Sequence, residues 1–269
     1  MRARTWMVGA LALGLLASAS WGATFSASPT GVAGQVGSRV AEGAGCGSTF
    51  LTRSTSQSIA ALNSISCNTG GLHTDNSYFR AYDMSGYPDG FDVCEVQIGI
   101  ESAAAGAPGV GAGITQPMTV NVYSNTGSAF PGGTLTLVGT AAVDLADQAL
   151  TVLTVPLAAS VPAGALEMVL EVFTPNGQTA GHSFFMGSNN LGESAPSYLQ
   201  APACGAVVPT PTGALGFANM QIVLNASGDP GIGGPSIIEI PTLGSWGVVL
   251  LGMALAGAAF LVLRRRSAV

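Results

Sequence analysis

The chain has 269 residues, 48% of them hydrophobic and 8% charged, with 38 glycines and 15 prolines; it is turn-rich but too apolar for a disordered polymer. It has no lysine, and of its eight arginines only Arg39, Arg53 and Arg80 lie between the two ends, against 13 of the 14 acidic residues once Glu239 is set aside. Three cations against thirteen carboxylates leave about −10, the wrong sign for a nucleic-acid partner or for attraction to anionic lipid headgroups.

Arg2 and Arg4 precede an apolar run, residues 6–16, and then small residues. That order predicts a secretory signal over residues 1–22. Ala17-Ser18-Ala19 and Ser20-Trp21-Gly22 both offer cleavage sites, which puts the cut between residues 19 and 23. The run is too short for a membrane helix. Residues 23–45, rich in Gly, Ala and Ser, read as a loose leading segment. An exported chain with four cysteines, Cys46, Cys67, Cys94 and Cys204, is expected to form two disulfides. Three connectivities are open. The favoured one joins Cys46 to Cys67 across a short loop and Cys94 to Cys204 from an early strand to a late loop. No C-x-x-C spacing supports a zinc site.

From Cys46 the pattern turns short and alternating. Cys94, Val96, Ile98 and Ile100 share one face, with Glu95, Gln97 and Gly99 on the other. Residues 102–116 form a small-residue loop. Met118, Val120 and Val122 then alternate with Thr119, Asn121 and Tyr123. Turn signals follow at Asn125-Thr126-Gly127 and Pro131-Gly132-Gly133. Further strands are expected from Leu135 and Leu137, over residues 150–157, and over residues 166–173. In the last, Leu166, Met168, Leu170 and Val172 point inward, with Glu167 and Glu171 outward. Residues 183–186 make a short strand, 187–213 a long loop carrying Cys204, and 217–224 the final strand. No window of residues 46–225 has a helical period. About eight short strands predict an all-β chain, an antiparallel jelly-roll-like sandwich over residues 46–226. Residues 227–239, rich in Gly and Pro, read as a flexible linker.

Residues 240–269 hold three adjoining parts: Ile240-Pro241-Thr242-Leu243-Gly244-Ser245-Trp246-Gly247, an apolar run of 18 residues over 246–263, and Arg264-Arg265-Arg266. As a helix the run rises about 27 Å, close to the roughly 30 Å of a bilayer core. A single transmembrane helix is expected, its arginines cytoplasmic and the rest of the chain outside. Trp246 sits at headgroup level. Pro241 lacks a backbone N–H and holds Ile240 extended, in a form a protease can grip. This tail resembles the IPTL-CTERM sorting signals of bacteria, matching their fixed positions with Ile240, Pro241, Thr242, Leu243, Trp246 and Gly247. The resemblance covers about a ninth of the chain. It implies recognition and cleavage by a membrane-embedded exosortase and delivery of the ectodomain to the cell envelope. The passive alternative is a plain membrane anchor.

The ectodomain is similar to an uncharacterised β-sandwich module of secreted bacterial proteins, in residues 71–80, 99–101, 172–177, 184–189 and 196–198. That resemblance names no activity. An enzyme has little to stand on: there are two histidines, His73 and His182, and no G-x-S-x-G elbow. His182 reads as a strand-end residue. The densest polar cluster is His73-Thr74-Asp75-Asn76 with Arg80 and Asp83. Asp75, Asn76 and Asp83 offer oxygen ligands for calcium, though not at EF-hand spacing; the plainer reading is a polar strand start with Asx turns. Tyr78, Phe79, Tyr82 and Tyr87 beside them are either a sugar-stacking surface or core. The expectation is thus a non-enzymatic exported protein for adhesion, matrix assembly or ligand binding, extracellular polysaccharide being one such ligand. The alternative is a jelly-roll enzyme acting on polysaccharide, which needs a cleft with two facing carboxylates.

Overall fold

The computed structural model describes residues 22–28, 46–106 and 115–231. The expected signal peptide up to residue 21 and everything after Gly231, sorting tail and transmembrane run included, lie outside the described residues. β-Branched and aromatic residues at alternate positions, punctuated by glycine and proline turns, build sixteen strands and no α-helix among the described residues. They are β1 (Thr24–Ala27), β2 (Thr49–Leu51), β3 (Ile65–Thr69), β4 (Leu72–His73), β5 (Asn76–Asp83), β6 (Phe91–Ala105), β7 (Thr115–Thr126) and β8 (Thr134–Ala146). After these come β9 (Gln148–Val161), β10 (Glu167–Thr174), β11 (His182–Met186), β12 (Ser188–Asn189), β13 (Tyr198–Ala201), β14 (Ala206–Pro211), β15 (Gln221–Ile222) and β16 (Leu224–Pro230).

Six strands form one antiparallel sheet in the order β14-β13-β5-β10-β7-β8. In the second sheet the long β6 is central. β9 lies along one side of it, β16 and β11 along the other, and β2 outside β16. The facing sides share one core: Val120, Val122, Leu170 and Val172 from the first sheet meet Val96, Ile98, Ile100 and Leu224 from the second, all fully buried. Each such side chain contributes about 1.5–3 kcal/mol of apolar transfer. A small sheet, β1-β3-β4, adds Ile65 and Cys67 to the same core. This is the antiparallel sandwich that the alternation predicts.

Several expectations are corrected. Residues 24–27 belong to a strand paired with β3, not to a loose segment. The final strand, expected over residues 217–224, is instead the short β15 followed by β16, which begins at Leu224 and runs through Ser227 and Gly228 to Pro230, so the sheet takes up the first residues of the expected linker. The long loop of residues 187–213 contains β12, β13 and β14. β6 is buried on both faces, because Glu95 and Gln97 are covered instead of solvated. Leu166, expected inward, is 42% exposed, since β10 begins one residue later. The disulfides join Cys46 to Cys94 and Cys67 to Cys204, not the favoured pairs. β2 pairs with β16 beside β6, which brings the preceding Cys46 to the β6 bulge at Cys94. β3 packs near the 3₁₀ turn Pro202–Cys204, whose glycine follows at φ 88°.

Arg80, on β5, is the largest fully buried side chain. Its Nε and Nη2 donate to the Ile222 carbonyl at 3.0 and 2.6 Å, and Nη1 donates to the Ala195 carbonyl at 2.6 Å. Glu193 closes the charge at 2.8 Å. Glu193 in turn accepts from the Ser197 hydroxyl, and the Ser197 hydroxyl oxygen accepts from Ile222 N–H. One guanidinium therefore fixes residues 193–197 and β15 against β5.

The sheet edges differ. β2 and β11 are short, β9 carries Pro156, and β14 carries Pro209 and Pro211. β8 is long and has neither proline nor cation, and its residues 134–137 are exposed throughout.

Two measurements test this fold. Non-reducing peptide mapping yields Cys46 linked to Cys94 and Cys67 linked to Cys204; any other pairing refutes it. Arg80→Met strands a partly buried carboxylate and two carbonyls, and is expected to cost about 3 kcal/mol in urea unfolding with disulfides intact, the low end for a broken buried pair. A loss under about 1 kcal/mol would place Arg80 outside the fold's supports.

Candidate functional site

The residues that the sequence offers as ligands do not converge. Asn76 is buried, and its amide accepts from Cys67 N–H at 2.9 Å and donates to the Cys67 carbonyl at 3.1 Å. Tyr78 is fully buried and donates to the Ile65 carbonyl at 3.2 Å. Asp75 accepts from Asn176 N–H at 2.7 Å. Asp83, at the far end of β5, accepts from Ser85 N–H and its hydroxyl, both at 2.9 Å, which holds its carboxyl below the ordinary range. Strand β5 thus separates the two aspartates, and among the described residues no group of three or more His, Cys, Asp or Glu gathers around a metal position. Phe79 and Tyr82 are core like Tyr78, and Tyr87 packs edge-on to Phe91 at 5.1 Å. Of the two readings left open for these four aromatics, they pack as core.

His73 is buried at the end of β4, its ring stacked on that of His182 at 6.4 Å. Its Nδ1 faces the Thr74 carbonyl at 2.9 Å and its Nε2 faces Gln116 Oε1 at 3.2 Å. Two acceptors favour the imidazolium, but burial outweighs them and holds the His73 pKa below its ordinary 6.5. His182 opens β11, as expected of a strand-end residue.

Among the described residues, polar and aromatic groups gather in an ordered way on the outer face of the six-stranded sheet. Strand register lines up Thr140 (β8), Asn121 (β7), Glu171 (β10), Phe79 (β5) and Tyr198 (β13) across five strands. The next row holds Leu137, Tyr123, Val169 and Ala81. The aromatic half is covered. Phe130 packs on Phe79 at 5.4 Å and on Tyr198 at 4.9 Å, forming a small second core with Val169. Glu167 holds that cover, accepting from Phe130 N–H at 2.6 Å and from Asn125 Nδ2 at 2.8 Å. Gly133, at φ 78°, closes the loop against the Asn125 side chain, where a Cβ has no room.

The polar half stays open beside this cover. Glu171 Oε2 accepts from the Tyr123 hydroxyl at 2.7 Å and from Asn121 Nδ2 at 2.9 Å. Thr140 donates to Asn121 Oδ1 at 2.7 Å. Tyr123 is half-buried; burial first, then the Glu171 carboxylate, raises the pKa of its hydroxyl above the ordinary value of 10.0 and keeps it a donor. The sequence pattern puts Tyr123 and Asn121 on the polar face of β7 and Glu171 on that of β10, but not side by side. The legible signal was only that both faces point outward.

A family model described as the IPTL-CTERM motif matches residues 240–266. The match contains every position on which the resemblance of the tail rests. The chain thus carries a C-terminal sorting signal of the kind found on exported, cell-surface proteins, recognised by an exosortase-type processing enzyme in the membrane. No curated protein matches the chain.

The His73 geometry sets a pH dependence. Its folded pKa is depressed, so the unfolded chain takes up a proton first as pH falls. Its contribution is present above about pH 6.5 and is lost progressively below it. The midpoint of urea unfolding, followed from pH 8 to pH 5, should fall more steeply in wild type than in His73→Gln. Parallel slopes refute the assignment.

Proposed function

We propose that this is a cell-envelope protein whose sandwich is presented outside the cell and whose tail is cut by an exosortase after membrane insertion. The observation that carries this reading is the match at residues 240–266, with its motif, apolar run and arginines in the required order. The parts divide the work. The run over 246–263 inserts through its leucines and valines. Arg264, Arg265 and Arg266 keep the end cytoplasmic. Pro241 and Thr242 serve neither job, so the processing enzyme is what reads them.

The sandwich fits a non-enzymatic binding domain for adhesion, matrix assembly or ligand capture. The only described ion pair, Arg80–Glu193, is committed to structure. His73 is likewise engaged on both ring nitrogens.

The double substitution Pro241→Ala, Thr242→Ala separates sorting from anchoring. In a host that has the exosortase, wild type is expected to lose its arginine-bearing end. The variant should insert normally and accumulate in the membrane fraction at its uncleaved mass. Intact C-termini on wild-type protein, read by intact-mass measurement, would leave a plain anchor. For the sandwich, His73→Ala and His182→Ala are expected to leave ligand binding in place. A hydrolytic activity that vanishes with either substitution moves the protein into the enzyme class.

A further inference from the structure

The open half of the six-stranded sheet's outer face is built as a site. Glu171 is 9% exposed, and the only ion pair among the described residues is Arg80–Glu193, so its charge is met by neutral donors alone. Both donors, the Tyr123 hydroxyl and Asn121 Nδ2, fall on Oε2. Among the described residues none donates to Oε1. Thr140 fixes Asn121 through Oδ1, so the amide nitrogen stays turned to Glu171. The floor is the sheet itself, Tyr123 lies half-exposed beside the carboxylate, and the Phe130 cover stands along one side.

We infer that this shelf binds a unit of a neutral polysaccharide. Sugar hydroxyls donate to Glu171 Oε1, and the apolar C–H face of the ring lies on Tyr123. A carboxylate is a strong acceptor for hydroxyl donors, and an aromatic ring held by its own hydroxyl loses little freedom on binding. The acid sign of the chain decides the class of ligand. Glu171 and the carboxylate surplus of the ectodomain repel uronates and phosphorylated polymers. A divalent cation fits poorly, because the neighbouring carboxylate, Glu167, lies four residues along β10, about 13 Å by strand rise, and is engaged with Asn125 and Phe130. The inference rests on the reading of the sandwich as a binding domain and supplies its ligand.

The test uses the full chain, purified in detergent, on an array of dextran, galactomannan and cello-oligosaccharides, with polygalacturonate and hyaluronate as acidic polymers. Wild type should bind at least one neutral glycan. Glu171→Gln, nearly isosteric, should weaken binding by about tenfold to a hundredfold, the scale of one hydrogen bond to a charged group. Tyr123→Phe keeps the ring and should lose less. Thr140→Val, which only frees Asn121, serves as a second probe if Glu171→Gln fails to fold. Neutral-glycan binding that survives all three substitutions places the site elsewhere and overturns this inference while leaving a binding domain. Binding to acidic polymers only, or to no glycan, also overturns it. The C-terminal mass decides the sorting reading independently.

Discussion

A single buried cation carries much of this architecture. Arg80 stands in the inner face of the six-stranded sheet with no exposure, where an unpaired guanidinium would be very costly. Its donors are spent on the carbonyls of Ile222 and Ala195, on the Ser54 hydroxyl and on Glu193. Those partners come from three places in the sequence: Ser54, residues 193–195, and the core residue Ile222. The network works beside Leu199, Ala201, Met220 and Ile222, which enter the main core, to make residues 188–222 part of the sandwich. It also seats β13 against β5, which places Tyr198 next to Phe79 on the outer face. The cover over the aromatic half of that face, and hence the boundary of the open half, depends on a charge on the opposite side of the sheet.

The sequence makes some of this legible. Alternation in residues 118–123 and 166–173 marks β7 and β10 correctly, and the turn residues around Gly127 and Gly133 mark the break after β7. The tail is the clearest stretch of all, because its information lies in a fixed order of residue types and needs no tertiary context. What was hidden depends on contacts distant in sequence. Glu95 and Gln97 look solvated by period, yet Gln97 donates to Glu95, and Ser227 does too, under a covering segment. Residues 187–213 look like a loop because hydrogen-bonded polar networks leave no apolar period. The cysteines pair across strands instead of within the nearest loop, because β2, which follows Cys46, and β3, which carries Cys67, belong to different sheets. Tyr78, Phe79 and Tyr82 are exposed or buried depending on which sheet receives β5, and that is a matter of topology.

The outer face of the six-stranded sheet shows how one strand serves two purposes. β10 sends Met168, Leu170 and Val172 into the main core and Glu167, Val169 and Glu171 the other way. Glu167 secures a cover and Val169 fills the space beneath it, while Glu171 has one oxygen in use. The two carboxylates share a residue type and a face. They differ because a loop folds back over one and not over the other.

The free edge of β8 has a colloidal meaning. Prolines on β9 and β14 and shortness in β2 and β11 stop other chains from adding to those edges. Among the described residues nothing guards residues 134–137 in this way, and Leu135 and Leu137 are 37% and 51% exposed there. The acidic surplus of the domain opposes the joining of two copies along that edge, acting at a distance. Such repulsion reaches about 10 Å at 0.1 M ionic strength and about 3 Å at 1 M. Dissolved salt is therefore the setting that decides whether neighbouring molecules remain dispersed or begin to stack edge to edge.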